Sequence, residues 1–314
     1  MTKTDAPIQR YSKNPILTKA QIPYPVHTGH NAAAIKQGDK YLMLFRAHRS
    51  TGLSILGLAE SQDGFNFNPR PTPFMVPCAE GDYARYEKSL EDPRVTLLDG
   101  VYYITYSCYS GLGVRIGLAR TEDWQTVERL AMITPLGFRN CALFPEKFKG
   151  KYLALFRPNV TADGTTRAIW SAESSDLVHW GNWKELIRPV PYHWDGEYIG
   201  PGAPPFRFDK YYINIYHGVF PTAEGRVYRL GIALHDAEDP RRVVAVGNRW
   251  ILTPEDLWEM IGYVHNVVFT CGAIPEEDGT VKIYWGGSDK VMCVGTAQIN
   301  DLVRFCLEDS RPAL

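Results

Sequence analysis

The chain has 314 residues with a net charge of −1, and 45% of its residues are hydrophobic. The near-neutral charge gives no overall field that would attract nucleic acid or a membrane surface, so neither is expected as a partner. The start of the chain carries no apolar segment of secretory length, and no stretch approaches the roughly 18 apolar residues of a membrane span. The sequence therefore predicts a cytoplasmic protein.

Five aromatic, strand-like segments recur along the chain, about 50 to 70 residues apart. They begin at Tyr41, Tyr102, Tyr152, Tyr211 and Val281. Self-similarity of this period is typical of the blades of a β-propeller. The sequence predicts an all-β fold, namely a five-bladed β-propeller that forms a single domain over residues 1–314.

In chain order, each aromatic segment follows an apolar segment and a turn rich in Gly and Asp, so the pairs predict five β-hairpins. The preceding segments are HNAAAI from residue 30, EDPRVTLL from 91, RNCALFPEKF from 139, GAPPFRF from 202 and HNVVFTCGAI from 265. Four aromatic segments continue into a further strand, and VGTAQINDL at 294–302 is a shorter fifth. Ser-x-Asp or Thr-x-Asp at 61–63, 121–123 and 174–176 predicts turns.

Two regions depart from this pattern. The segment TPEDLWEM at 253–260 predicts a short helix, with its first residue as the N-cap. The stretch 187–205, rich in Pro and Trp, predicts a long loop between blades, and loops of that length are usually functional. Its aromatic residues Tyr192, Trp194 and Tyr198 either stack on sugar rings or pack the loop.

Polar residues stand at the blade positions that meet at one end of the axis. In a propeller, the first strand of each blade lines the axis and the second returns beside it, so first-strand starts and second-strand ends share one mouth. The residues there include His30, Glu91, Asn140, Asn266 and Ser107, which could serve only the backbone or packing, and the candidate site residues Asn31, Arg46, Arg49, Asp92, Arg139, Arg157, His217 and Asp289. We expect these side chains to converge on one pocket.

The predicted pocket contains two carboxylates, Asp92 and Asp289, but four arginines and a histidine. A glycosidase of the usual kind needs one carboxylic acid and a second carboxylate as base or nucleophile. A surplus of guanidinium groups indicates a bound anion instead, because the planar fork of arginine matches the oxygens of phosphate. Phosphate is the anion that this residue set favours.

Purely structural roles stay open for several of these residues. Asp92 precedes a proline and could cap a turn. Arg46 and Arg157 follow apolar alternation and could extend out of the core, and His217 could be a buried, hydrogen-bonded histidine. The six cysteines have no C-x-x-C spacing and are predicted to be buried free thiols. Nucleotide-binding glycine motifs and histidine metal motifs do not occur, so no metal is predicted.

The chain resembles the mannoside phosphorylases of glycoside hydrolase family 130, which are five-bladed β-propellers. The pieces that carry the resemblance run from NPIL at 14–17 to GGSDKVMCVGTA at 286–297. The most specific are EDPRV at 91–95, LFPEK at 143–147 and IGPGAPP at 199–205, in this order. The resemblance implies an enzyme that acts on a mannose-containing oligosaccharide with inorganic phosphate as co-substrate and without a cofactor.

The resemblance also implies a role for each pocket residue. Asp92 matches the catalytic acid, and Glu91 would raise its pKa if both carboxyls point inward. The phosphate ligands of the family match Arg139, Arg157 and His217. The mannosyl subsite matches Asn31, Arg46 and Asp289. Arg49 has no firm counterpart and is assigned to substrate binding by its position alone.

The implied reaction is inverting phosphorolysis of a β-mannoside, which releases α-mannose 1-phosphate. Phosphate as nucleophile needs positioning and charge neutralisation but no general base, which explains the missing second carboxylate. In the family the acid is thought to act through the 3-hydroxyl of the sugar. Asp92 is therefore expected to be protonated when the reaction begins.

Alternatives from the sequence concern both the reaction and the substrate. A β-mannoside hydrolase of the same fold would lack the basic phosphate ligands, and a propeller lectin would usually repeat one sugar site per blade. For the linkage, the first expectation is a β-1,4-mannooligosaccharide or mannosyl-glucose, with acceptor and chain length undetermined. Oligomers are frequent in the family, so the resemblance allows a homo-oligomer of undetermined size.

Overall fold

The computed structural model describes residues 6–159 and 167–314 of the chain. Five antiparallel sheets, numbered here as blades one to five, follow one another around a central axis. The inner strands of neighbouring sheets are in contact, and the inner strand of blade five also contacts that of blade one. The fold is thus a closed, five-bladed β-propeller, which confirms the fold predicted from the repeats.

Strands are numbered along the chain, and the first, β1 (Gln9–Arg10), belongs to blade five. Blade one contains β2 (His30–Gln37), β3 (Lys40–His48), β4 (Ser54–Ser61) and β5 (Asn68–Pro69). Blade two contains β6 (Ser89–Leu98), β7 (Val101–Ser110), β8 (Gly113–Thr121) and β9 (Glu128–Met132). Blade three contains β10 (Phe138–Leu143), β11 (Tyr152–Pro158), β12 (Ile169–Ser174) and β13 (Trp180–Ile187).

The last two blades incorporate the two ends of the described chain. Blade four contains β14 (Tyr198–Pro201), β15 (Phe206–Phe208), β16 (Tyr211–Thr222), β17 (Gly225–Asp236), β18 (Val243–Gly247) and, at its edge, β22 (Ser310–Arg311). Blade five contains β19 (Val268–Pro275), β20 (Thr280–Gly287), β21 (Val291–Gln298) and β1. A 3₁₀ turn lies at Lys19–Gln21, and the α-helices are α1 (Leu257–Met260) and α2 (Ile299–Glu308). No helix in the described ranges is long and apolar enough to cross a bilayer.

Tight turns join the strands of each hairpin, as their Gly and Asp content predicts. Between β6 and β7, Asp99 and Gly100 have φ values of 50° and 81°. Lys149 and Gly150 precede β11 with φ values of 50° and 79°. Two successive residues with positive φ are the signature of a type I′ turn, whose twist matches that of the paired strands.

The inner strands are irregular near the mouth of the axis. In blade one, residues 30–33 of β2 face only residues 44–46 of β3, so β2 has one extra residue. The inner strands of blades two, three and five have the same kind of bulge. Asn31, Asp92 and Asn140 lie in these bulges with φ of 46°, 49° and 56°, a region that Asn and Asp tolerate. A bulge redirects the side chain it carries, and these three line the same pocket.

Blade four departs from the predicted hairpin. The segment GAPPFRF is not one strand: Gly202–Pro205 interrupts the inner edge between β14 and β15. Pro204 and Pro205 lack an amide hydrogen and cannot donate to the sheet, which explains the break. The strand β14 lies within the stretch predicted to be a loop, so that prediction is wrong for its last part.

The helices also differ from the prediction. The short helix α1 lies inside the predicted segment, but its N-cap is Asp256 rather than Thr253. The carboxylate of Glu259 accepts hydrogen bonds from the backbone N–H groups of Glu255 and Asp256, at 2.9 and 3.2 Å, which completes a capping box. Helix α2 was not predicted, because the aromatic repeat suggested strand through residue 302. Its buried residues recur at helical spacing: Ile299, Leu302 and Cys306.

Two smaller predictions are confirmed. Ser61 and Asp63 accept hydrogen bonds from the backbone N–H groups of residues 64 to 66, and the equivalent residues at 121–123 and 174–176 form the same turn. All six cysteines are free thiols, and five of them are buried. The half-buried one is Cys78.

Candidate active site

A pocket of about 220 Å³ opens at the end of the axis where the bulges lie. Seven of its lining residues are among those placed at this mouth by blade register: Asn31, Arg46, Asp92, Arg139, Asn140, Arg157 and Asp289. The other polar lining residues are Asn159, Arg167, Tyr198 and Tyr228. An apolar wall is formed by Val264, Val267 and Phe269. The polar strand ends from all five blades therefore meet in one place, as the register indicates.

Asp92 lies at the centre of a hydrogen-bonded group and is 6% exposed. Its Oδ1 accepts hydrogen bonds from Nη1 of Arg46 at 2.9 Å and from Nδ2 of Asn31 at 3.0 Å. Burial alone would raise the pKa of Asp92, but the charges of Arg46 and Arg94 and the Asn31 hydrogen bond hold the pKa below its usual range. The ligand-free site thus has an ionised Asp92, whereas the sequence reasoning expected a protonated one.

Glu91 points inward but does not act on Asp92 as expected. Its carboxylate is paired with Arg46 at 3.1 Å and with Arg139 at 3.0 Å, and it accepts a hydrogen bond from Ser89 Oγ at 3.0 Å. The paired guanidinium groups neutralise the charge that would have raised the pKa of Asp92. Glu91 instead orients two arginines that line the pocket.

Asp289 is the second carboxylate of the pocket. It follows β20, in a turn where Ser288 and Asp289 have φ of 46° and 51°. Its Oδ1 accepts a hydrogen bond of 3.1 Å from Nδ2 of Asn31, the same nitrogen that donates to Asp92. Gly286 permits this approach, because a Cβ there would lie 2.0 Å from Oδ1 of Asn31. Desolvation, together with the negative charge of Asp92, raises the pKa of Asp289 to about 6.

Arg157 provides an uncompensated positive charge at the pocket. It is 6% exposed, and among residues 6–159 and 167–314 it has no carboxylate within ion-pair distance. Its guanidinium lies over the ring of Tyr198, 5.0 Å from the centroid, and contacts Nε2 of His217 at 3.2 Å. Burial lowers the pKa of Arg157 to about 10. A buried guanidinium of this kind is stabilised by an anion that enters the pocket.

His217 lies behind Arg157 rather than on the pocket wall. It is fully buried, and burial followed by the charge of Arg157 lowers its pKa well below 6.5, so the ring is neutral. Gly200 makes room for both side chains, since a Cβ there would lie 2.6 Å from the His217 ring. This close packing gives a physical reason for the first glycine of the IGPG sequence.

Arg49 is separate from these residues. It is exposed in the turn between β3 and β4, where its N–H donates to the carbonyl of Leu53 at 2.9 Å. It is not among the residues that line the pocket. Of the three loop aromatics, Tyr198 lines the pocket, Trp194 packs on Tyr216, and Tyr192 is 99% exposed.

Sequence reasoning did not single out Arg167 or Tyr228. Arg167 also lies over the Tyr198 ring, 4.0 Å from its centroid, and pairs with Glu197 at 3.4 Å. The hydroxyl groups of Tyr198 and Tyr228 are hydrogen-bonded to each other. Neither residue stands at a first-strand start or a second-strand end, so the register rule could not identify it. Both residues could have been found only through Tyr198. Its ring contacts Arg157 and Arg167, and its hydroxyl group is bonded to Tyr228.

Several buried polar atoms at the pocket have no hydrogen-bond partner within the described part of the chain. They include Oδ1 of Asn31, Asn140 and Asn159, and Nε of Arg157. A buried polar atom without a partner costs about 1–3 kcal/mol. Because all four residues line the pocket, a polar ligand such as a sugar can supply the missing hydrogen bonds.

The charges are divided between the blades. Asp92, Asp289 and the bridging Asn31 come from blades two, five and one, which are neighbours in the ring, and we call them the acidic side. Arg139, Arg157 and Arg167 come from blade three, and Tyr198 and Tyr228 from blade four; we call these the basic side. A ligand in the pocket is therefore held between carboxyl groups and a cationic wall.

Arg94 is a buried arginine that joins three blades near the pocket. It is 1% exposed and stands on β6, two residues after Asp92. Its guanidinium donates to the carbonyl groups of Asp92, Pro201 and Gly202 at 2.8, 3.0 and 2.7 Å. It also lies 5.7 Å from the ring centroid of Phe269. The side chain thus connects blades two, four and five across the axis.

Comparison with known proteins identifies similar enzymes over nearly the full chain. The glycoside hydrolase 130 family model, described as beta-1,4-mannooligosaccharide phosphorylase, matches residues 6–308. A 1,2-beta-oligomannan phosphorylase from Thermoanaerobacter sp. (strain X514) is 34% identical over 306 residues, covering 94% of this chain and 98% of that protein. A beta-1,4-mannooligosaccharide phosphorylase from Ruminococcus albus is 26% identical over 310 residues, covering 95% and 90%.

A solved structure has a fold similar to that of this chain. The beta-1,2-mannobiose phosphorylase of Listeria innocua, in complex with beta-1,2-mannobiose, superposes with a TM-score of 0.88. The two chains are 26% identical, and the match covers 96% of this chain and 99% of that chain. The similarity in fold therefore extends over nearly all of both chains.

Proposed function

The chain belongs to glycoside hydrolase family 130, the family of the β-mannoside phosphorylases, and we propose that it cleaves a β-mannoside with inorganic phosphate. The products are α-mannose 1-phosphate and the shortened sugar. The reaction class is supported by relatives that are named phosphorylases and that match this chain over nearly their full length. No cofactor is needed, because phosphate itself is the nucleophile.

The observation that carries this proposal is the division of the pocket into an acidic and a basic side. Inversion requires the nucleophile to approach the anomeric carbon from the face opposite the leaving group. The buried guanidinium of Arg157, with Arg139 beside it, suits a phosphate on one side. Asp92 on the other side suits the acid that protonates the leaving oxygen. The mannosyl ring would lie between them, against Asn31, Arg46 and Asp289.

The arrangement is less suited to hydrolysis by two carboxylates. The Oδ1 atoms of Asp92 and Asp289 lie 3.0 and 3.1 Å from one nitrogen of Asn31, so they are at most about 6 Å apart. They also lie on one side of the pocket, whereas an inverting hydrolase has its base across the sugar from its acid. That opposite wall carries guanidinium groups instead.

The site also differs from that of a lectin that repeats one sugar site in every blade. The mouth residues of the five blades are chemically different, and they form one composite pocket. His217 supports the phosphate site indirectly, through its contact with Arg157 at 3.2 Å. We assign Arg167 to the same site, because it shares the Tyr198 ring with Arg157.

For the linkage, we propose β-1,2-mannosides. The relative named for 1,2-β-oligomannan is 34% identical, and the one named for β-1,4-mannooligosaccharides is 26% identical. The alternative is the β-1,4 linkage, which the sequence led us to expect and for which the family model is named. The acceptor is open in both cases.

The experiment incubates the purified protein with β-1,2- and β-1,4-mannobiose, each with and without phosphate. We expect α-mannose 1-phosphate, identified by ³¹P and ¹H NMR, only when phosphate is present and mainly from the β-1,2 disaccharide. Equal turnover in phosphate-free buffer, with free mannose released, would contradict phosphorolysis. The reverse reaction, with α-mannose 1-phosphate and a panel of acceptors, then identifies the linkage formed.

A further inference from the structure

Asp92 and Asp289 are joined by a single amide group. Nδ2 of Asn31 donates to Oδ1 of both residues, at 3.0 and 3.1 Å. Asp92 is buried, Asp289 is half-buried, and both line the pocket. Two ionised carboxylates this close repel each other strongly away from bulk water, as in other enzyme carboxyl pairs. One carboxyl of such a pair is favoured in its neutral form.

The surroundings decide which carboxyl is neutral. Arg46 forms an ion pair with Asp92 at 2.9 Å, and its second partner is Glu91 at 3.1 Å. Asp289 has no ion pair with any residue that the structure describes, and it receives the Asn31 hydrogen bond alone. Of the two carboxylates, Asp92 therefore has the compensated charge.

The remaining groups around Asp289 do not alter this difference. The charged and titratable groups facing it are Arg46 on β3, Glu91 and Asp92 on β6, Cys271 on β19 and Tyr228 on β17. Burial raises the pKa of Cys271 to about 12 and raises the pKa of Tyr228 well above its usual value, so both groups are neutral. The raised pKa of Asp289 and the lowered pKa of Asp92 agree with the geometry.

We propose that Asp92 and Asp289 hold one proton between them in the free enzyme, and that Asp289 carries it. The inference rests on the proposed function, and it resolves how an ionised Asp92 can serve as an acid. When the mannoside binds, the proton of the pair moves to Asp92. Asp289 is in this sense a proton-holding and positioning residue, and Asp92 remains the catalytic acid.

The proton balance closes with no other reactant than water. As the bond from C1 to the glycosidic oxygen breaks, that oxygen receives the proton of the pair and leaves as an alcohol. An oxygen of hydrogen phosphate forms the new bond to C1 and the phosphate releases its proton to water, while the carboxyl pair takes up a proton from water after the products leave. The cycle thus needs one proton on the pair, neither two nor none.

The kinetic test compares the pH profile of kcat/KM for the wild type with that of Asp289→Asn. The pair must keep its proton, so wild-type kcat/KM falls as the pH rises through about 6, where Asp289 loses it. Without Asp289, Asp92 stands alone beside Arg46 and loses its proton at lower pH. We therefore expect the falling limb to shift by about one pH unit or more towards acid, with a larger loss at pH 7 than at pH 5.

The outcome that overturns the proposal is a loss of the same factor at every pH. That result assigns Asp289 to an ionised hydrogen-bond acceptor for the sugar. Because the pKa of phosphate shapes both profiles equally, the ratio of variant to wild type at each pH is the quantity compared. Tm measurements for both proteins identify a variant that fails to fold.

A second measurement does not depend on activity. Infrared difference spectra between about pH 5 and about pH 8 contain the signal of ordinary surface carboxyl groups in every variant. Beyond that signal, the free wild type should show an additional carboxylic acid C=O band that is absent in Asp289→Asn. In Asp92→Asn the band should persist but titrate at lower pH, because the neighbouring negative charge is removed. A wild-type spectrum without the band, or a band unchanged in Asp289→Asn, contradicts the proposal. A band in a protein that does not phosphorolyse mannosides would contradict only the proposed function.

Discussion

At the scale of single residues, the pocket side chains differ most in how their charges are compensated. Arg46 and Arg139 both pair with Glu91, whereas Arg157 has no carboxylate partner in the described ranges. Blade register predicted which residues reach the pocket, because that depends on strand direction alone. It could not predict that Glu91 would be neutralised or that His217 would stand behind Arg157, since both depend on side-chain packing.

Replacing Arg157 with Met should separate binding from stability. We expect the KM for phosphate to rise about tenfold or more, because a hydrogen bond to a charged group contributes about 1.5–3 kcal/mol. The free energy of unfolding should stay the same or increase, since a buried charge without a partner is costly. Phosphate titration of initial rates and urea unfolding in phosphate-free buffer measure the two effects.

The matched control for that experiment is Arg120→Met. Arg120 pairs with Glu128 on the surface of blade two, at 2.7 Å, and does not line the pocket. Its loss should leave both the KM for phosphate and the free energy of unfolding nearly unchanged, because an exposed ion pair contributes little to stability. A similar rise in KM in both variants would mean that the effect comes from net charge and not from the pocket.

Replacing Asp92 with Asn should abolish phosphorolysis without unfolding the protein. The amide is nearly isosteric and retains the φ of 49° that Asp and Asn both tolerate. It has no acidic proton to give, so kcat should fall about 10²–10⁴-fold. The readout is release of mannose 1-phosphate, with Tm as the folding control. Retention of wild-type kcat would show that Asp92 is not the catalytic acid.

At the scale of elements, the bulges convert a repeated hairpin into a binding site. The aromatic segments of the strands recur at a regular spacing, and that spacing predicted the number of blades. The bulges at Asn31, Asp92 and Asn140 were not predictable, because a bulge depends on pairing with the next strand. Helix α2 was missed for a related reason. The helical spacing of α2 begins directly where the alternation of β21 ends. Over so few residues, the hydrophobic pattern does not distinguish a helix from a continuing strand.

Asn140 allows a direct test of the bulge geometry. Its φ of 56° is easy for Gly and strained for a β-branched residue, and its Oδ1 is buried without a partner in the described chain. We expect Asn140→Gly to be neutral or stabilising, and Asn140→Val to cost about 1–2 kcal/mol. Urea unfolding of the three proteins measures this. Equal stabilities for Gly and Val would indicate that the bulge relaxes.

At the scale of the whole molecule, both ends of the described chain pair with the outer strands of blades that lie next to each other in the ring. Strand β1 is the outer strand of blade five, and Arg10 on it binds the buried carboxylate of Glu259 at 2.9 and 3.1 Å. Strand β22 extends blade four, where Arg311 pairs with the buried Asp195. The sequence predicted the number of blades, but these closing contacts join residues far apart in the chain and leave no local pattern.

The protein as a whole should lose stability on mild acidification. Burial lowers the pKa of His30, His48, His217 and His235, in His48 and His235 to about 4. Unfolded histidine takes up a proton below about pH 6.5, and the folded protein resists this, so stability is present above that pH and lost below it. From about pH 7 to about pH 5 we expect a loss of about 2 kcal/mol per histidine, measured by urea unfolding.

His235→Gln tests the source of that loss. His235 lies away from the pocket, accepts a hydrogen bond from Asn214 at 3.2 Å and donates to the carbonyl of Pro240 at 2.7 Å. The variant should reduce the pH dependence by about a quarter, whatever its effect on stability at neutral pH. An unchanged pH dependence would assign the acid sensitivity to carboxyl groups.

Arg94 makes three blades depend on one another at the axis. Its guanidinium donates to the carbonyl of Asp92 in blade two and to those of Pro201 and Gly202 in blade four, and it lies against Phe269 of blade five. Unfolding of blade four alone would leave this buried guanidinium without two of its three acceptors, which is costly. We therefore expect the ring to unfold as one cooperative unit and not blade by blade.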